Sequence, residues 1–147
     1  MSDAATIVRE VEAFYRGYID VFNREDIDGY LHSFCYPNAL LRGAQGMTVH
    51  MRESDQLRYY QALMLAIRAE GWDHSGVGPL HVTPLTDATA ILVADFTRYK
   101  KDNSPIENAR TCYTVHKDAG AWKILMLTDV KPPFTGTGAR PTAARGR

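Results

Sequence analysis

The sequence predicts an α+β domain, and two periodicities predict it. Through the first half of the chain apolar residues recur every three to four positions, as in helices with one buried face. From Trp72 onward they recur at every second position, as in strands, and helices followed by strands is the order of a domain whose helices lie on one face of a sheet. At 147 residues the chain is long enough for one domain with a real core, which we place at residues 1–131.

The first helix is expected over residues 3–23, where Ile7, Val11, Phe14, Tyr18 and Phe22 form a stripe with Tyr15 alongside. "NRED" interrupts the stripe, and Asp26 is placed to cap a second helix whose inner face would be Ile27, Tyr30, Leu31 and Phe34, ended by Pro37. "NALLRG" and "MTVHM" read as a small hairpin around the glycine-bearing "AQG". A third helix follows "RESD", capped by Ser54, with Leu57, Tyr60, Met64 and Ile67 on one side and Gly71 as its stop. "PLHVTPL", "ATAILVADFTRYK", "ARTCYTVHK" and "AWKILML" are four extended runs joined by turn chemistry, an antiparallel meander. The last stretch, residues 132–147, is rich in Gly, Pro and Arg with little to bury, and a flexible basic tail is expected there. Its "GTGAR" opens no helix and so is no dinucleotide loop.

Composition excludes some partners. Lys and Arg number 17 and so do Asp and Glu, so nothing draws the chain as a whole to nucleic acid or to an anionic membrane. There is neither an apolar run of membrane-spanning length nor a secretory signal pattern, and the expected location is cytoplasmic. Cys35 and Cys112 match no metal-ligand spacing and are expected as buried free thiols.

The run "FYRGYIDVFNREDIDGYLHSF", a third helix, and long strands closing on "KDAGAWKI" together resemble the NTF2-like superfamily and, within it, the SnoaL-like group. The resemblance covers nearly everything outside the tail. It implies a cone in which a strongly curved, mainly antiparallel sheet wraps the helices and leaves a cup at its open end, and it implies a homodimer paired through the outer sheet face. One fold hosts many chemistries, so the reaction is not implied with it.

The ketosteroid isomerases of this superfamily use a tyrosine, a carboxylate base and a protonated acid. Laid on this chain, the tyrosine falls on Tyr18, the base near Arg42 and the acid near Thr111. Arginine does not accept a proton at neutral pH and a threonine hydroxyl is no strong acid, so steroid-type isomerisation is not expected. The Asp–Arg–Asp set that the fold's epoxide hydrolases present finds no match: Asp95 and Arg98 lie on opposite faces of a regular strand, Arg98 inward with Leu92, Ala94 and Phe96. Asp129 has the parity opposite to Trp122, Ile124 and Met126, which places it outside.

Five histidines, His32, His50, His74, His81 and His116, show neither HxH nor HExxH spacing, and no GxSxG or phosphate loop occurs, so no metal and no cofactor is expected. His32 and His116 read as surface residues, whereas His50, beside the cup mouth, is the best general-base candidate. The remaining pattern is a pocket of aromatic and aliphatic walls with polar tips: Tyr18 and Phe14 from the first helix, Tyr60 from the third, and Phe96, Arg98, Thr111, Tyr113 and Met126 from the sheet. An inward guanidinium needs an anion or carbonyl beside it. Three functions fit: binding of a small hydrophobic molecule bearing a carbonyl or carboxylate; an isomerase, cyclase or hydrolase with Tyr18 as donor and His50 as base; and a dimeric scaffold without chemistry.

Overall fold

The computed structural model describes residues 3–131, and the tail expected at 132–147 lies outside them. Helix α1 spans Ala4–Asn23, α2 Ile27–His32 and α3 Glu53–Ala69; strands are β1 Phe34–Arg42, β2 Gly46–His50, β3 His74–Thr86, β4 Thr89–Tyr99, β5 Pro105–Asp118 and β6 Ala121–Val130. The six strands form one sheet in the order β2-β1-β6-β5-β4-β3, and only β1 and β6 run parallel. Three helices pack on this curved sheet, the α+β cone expected from the sequence.

Local chemistry sets the helix ends. Asp3 caps α1 by accepting from Thr6 N at 2.7 Å. At the corner Glu25 takes a left-handed φ of 56°, and its carboxylate reaches across to pair with Arg68 of α3. Asp26 caps α2 by accepting from Gly29 N at 3.0 Å, and Gly29 is needed there because a Cβ would lie 2.7 Å from Asp26 Oδ2.

Several boundaries differ from expectation, each for a local reason. Helix α2 ends at His32, so Phe34 opens β1 and reaches the core from the sheet. Pro37 therefore ends no helix; it sits in β1 after a cis Tyr36–Pro37 bond, inside the break where pairing to β6 jumps from Phe34 to Ala39. The start of α3 is capped from within by Asp55, whose Oδ2 accepts from Met51 N and Arg52 N at 2.9 and 3.2 Å, and Ser54 takes no part. The hairpin β1–β2 extends the sheet beyond the meander, and β3 begins five residues before "PLHVTPL".

The core lies between α1 and the inner sheet face. Val11, Tyr15, Ala90, Leu92, Ala94 and Val115 are fully buried there. In β6 the pairing with β5 steps from Val115↔Ile124 to Thr114↔Met126, which leaves Leu125 as an extra residue. That bulge reverses the alternation for the rest of the strand, with direct consequences for the cup.

Candidate functional site

A cavity of about 80 Å³ lies between α1, α3 and the inner sheet face. Its aromatic wall is Tyr18, Phe22, Tyr30, Phe34, Tyr59, Phe96 and Tyr113; its polar groups include Asn38, Arg42, His50, Gln56, Ser75, Arg98 and Thr111. Four of these, Arg42, Phe96, Arg98 and Thr111, also line an adjoining open groove that carries Asp129, Glu107 and Lys131. They form the neck between the cup and its mouth.

The bulge explains which β6 residues belong here. Met126 lies opposite Thr114 and is not on the cavity wall; Leu127, opposite Tyr113, takes its place. Asp129, placed outside by strict alternation, lies opposite Thr111, lines the open groove and accepts from Gly43 N at 3.2 Å.

Among the other expected site residues, the structure brings Tyr18, His50, Phe96, Arg98, Thr111 and Tyr113 together on the cavity wall. Phe14 and Tyr60 are not on it. Phe14 stacks against Tyr18 one turn away, at 6.4 Å between ring centres. Tyr60 fills the core against Tyr30 and Phe22, and its neighbour Tyr59 takes the wall position. Arg42 and Thr111, which stand where the isomerase base and acid would, do line the cavity. His32 is exposed, and His116 is half-buried near Thr89 Oγ1 at 3.4 Å. Cys35 and Cys112 are free thiols and half-buried rather than buried.

Electrostatics at the neck are positive and only partly offset. Arg98 pairs across the strands with Glu107, lies over the Phe96 ring at 5.3 Å, and keeps a buried Nε with no hydrogen-bond partner among the described residues. Arg42 donates to Tyr59 Oη at 2.9 Å and, among the described residues, has no carboxylate within 4.0 Å. Asp95 is off the cavity wall, as the alternation of β4 requires, and lines the open groove paired with Arg110 at 2.5 Å.

The phenols of the cup stay protonated at neutral pH. Burial pushes the Tyr18 hydroxyl well above its ordinary range, and Tyr15 and Tyr30 likewise. Burial also raises Tyr113, to about 12, and Tyr59, where Arg42 and Arg98 pull the other way. Each is therefore a neutral hydrogen-bonding group. The Tyr18 Oη has no partner among the described residues and is not sealed off, so it is free to donate into the cavity.

Asn38, Gln56, Tyr59 and Leu127 are wall residues that sequence reasoning missed. Gln56 carried a signal, because it precedes Tyr60, Met64 and Ile67 on the buried stripe of α3, where a polar side chain is out of place. Among the described residues no group of three or more His, Cys, Asp or Glu side chains could hold a metal ion, and no helix is long and apolar enough to cross a membrane.

Comparison with solved structures returns the same fold. A cystatin-like protein of unknown function from Nostoc punctiforme superposes with a TM-score of 0.70 at 15% identity, over 91% of this chain and 98% of that one. A putative calcium/calmodulin-dependent protein kinase II association domain from Xanthomonas campestris gives 0.62 at 17% identity, over 85% and 88%. A ketosteroid isomerase-like protein from Erwinia carotovora atroseptica gives 0.57 at 16% identity, over 84% and 96%. At these identities the likeness is one of fold. A search of curated proteins finds no match. The model of the NTF2-like protein family DUF6841 matches residues 9–132, and the chain belongs to that family.

Proposed function

We propose that the cup binds a small hydrophobic molecule bearing a carbonyl or, better, a carboxylate. The observation that carries this reading is Arg98, whose guanidinium stands on the wall of an aromatic cavity with Glu107 as its one carboxylate partner among the described residues. Its Nε is sealed in that wall without a partner among the described residues, so an anionic oxygen at the neck would pair with the outer nitrogens of the guanidinium in a charge-assisted bond. Arg42, on the same wall and without an acidic partner among the described residues, adds a second positive charge.

Size sets how such a ligand would sit. A cavity of about 80 Å³ is smaller than the roughly 150 Å³ that holds a benzene ring. An aryl ligand therefore enters only as wall side chains move apart, and its acid group stays at the neck between the arginines. A dimer paired through the outer sheet face and a reducing, cytoplasmic setting belong to the same reading; the exposed apolar Leu125 on β6 and the two unpaired thiols are consistent with them.

The test is titration of the full chain with phenylacetate by calorimetry. Saturable binding that weakens by about tenfold or more in Arg98→Met, with the fold intact by circular dichroism, is expected, since a charge-assisted hydrogen bond is at stake. Equal binding by wild type and variant would remove Arg98 from the reading. Catalysis is the second reading, an isomerase, cyclase or hydrolase in which Tyr18 donates and His50 accepts a proton; what favours it is that both side chains face one cavity.

A further inference from the structure

A chain of buried polar side chains runs from α2 to the cup wall. Gln56 Nε2 donates to Tyr30 Oη at 3.0 Å, and Gln56 Oε1 accepts from Asn38 Nδ2 at 3.0 Å. Asn38 Nδ2 also donates to the Cys35 carbonyl at 2.9 Å, and Asn38 Oδ1 lies 3.1 Å from His50 Nδ1. Tyr30, Asn38, His50 and Gln56 are all at most 5% exposed.

This chain fixes a proton. A main-chain carbonyl can only accept, so the Asn38 atom facing Cys35 is the amide nitrogen and the atom facing His50 is the oxygen. An amide oxygen carries no hydrogen, so His50 Nδ1 must donate to it. In the neutral ring the other nitrogen, Nε2, then presents a bare lone pair. It has no protein partner among the described residues and is not sealed off, and the ring stands on the cavity wall. Tyr59 joins this arrangement to the neck: its ring is 5.4 Å from that of His50 and its hydroxyl accepts from Arg42.

We propose that Asn38, braced by Gln56 and Tyr30, holds His50 as a fixed proton acceptor inside the cup, so that the cup selects hydrophobic acids that also carry a hydroxyl group. The acid half of this statement rests on the binding function proposed above; the hydroxyl half rests on the His50 tautomer alone. A hydroxyl can donate to Nε2, whereas a bare carbonyl oxygen would set lone pair against lone pair. Asn38 and Gln56 are positioning residues here, and His50 is the group that meets the ligand.

The test uses the full chain, labelled with nitrogen-15, and two probes, 4-hydroxyphenylacetate and phenylacetate. At about pH 8, above the ordinary imidazole range, long-range proton–nitrogen spectra should show His50 protonated at Nδ1 and unprotonated at Nε2. Asn38→Leu should shift that ring toward the Nε2-protonated form, a change that a merely structural asparagine would not cause. The hydroxylated probe should bind about tenfold more tightly, the yield of one good hydrogen bond, and His50→Leu should abolish that preference. An Nε2-protonated His50 in the wild type, or equal affinity for the two probes, overturns the proposal. Equal affinity leaves the anion site standing, whereas failure of both acids to bind overturns it too. Neither wild-type readout depends on a variant that folds.

Discussion

The closed base of the cone and its neck are built from the same three kinds of element, yet they are satisfied in different ways. At the base, Val11, Leu92, Val115 and Ile124 belong to the buried apolar core, where the Tyr15 hydroxyl is the one buried side-chain oxygen left without a partner among the described residues. At the neck, Arg42, Arg98, Tyr18 and His50 each keep at least one polar atom that the described residues do not fully answer. What the difference teaches is a division of labour: the base holds the fold by excluded water and close packing, and the neck holds polar capacity in reserve for something that is not protein.

Three substitutions break or sharpen this comparison. The largest effect is expected at the base, where Leu92→Ala removes a fully buried side chain and should cost about 3 kcal/mol by urea unfolding. A loss below about 1 kcal/mol would show that the base is loosely packed and that the comparison is drawn in the wrong place.

Tyr18→Phe tests the neck and should do the reverse. Its hydroxyl has no partner among the described residues, so unfolding free energy should change by less than about 1 kcal/mol while phenylacetate binding weakens about fivefold. An unfolded variant would make Tyr18 core support, which its ring contacts with Tyr30 and Tyr113 would then explain.

The smallest effect is a control outside the cup. Arg110 holds the Asp95 carboxyl below its ordinary value of 3.8, so the pair adds stability above that pH and loses it as pH falls through the lower folded-state value. Asp95→Asn should therefore flatten the acid limb of the stability curve below about pH 4, lower stability at neutral pH by under about 1 kcal/mol, and leave probe binding unchanged. Altered binding would mean that the open groove, which Asp95 lines, communicates with the neck.

Much of the cone is legible in the sequence alone. The stripe of α1, the Asp26 cap and the inward series Leu92, Ala94, Phe96 and Arg98 follow from local periodicity, and local periodicity is what a single sequence displays. The Met126 and Asp129 placements fail because one extra residue, Leu125, shifts every later side chain of β6 to the other face, and nothing in "WKILMLTDV" announces it. Phe14 and Tyr60 fail for another reason. An aromatic on a buried stripe is assigned to core or to wall only by what packs against it, and in both cases a neighbouring ring takes the wall.

By itself the sequence determined the class of fold, the order of its elements, the cap of its second helix and the presence of an inward arginine near the end of a strand. Only the tertiary structure decided that Asn38, His50 and Gln56, up to 18 residues apart, share one hydrogen-bond chain, and that Arg42 joins Arg98 at one neck. The physical reason is that periodicity and capping are interactions within one or two turns of chain, whereas a binding site is a meeting of groups brought together by sheet register and strand order, and those are set by the packing of the whole domain.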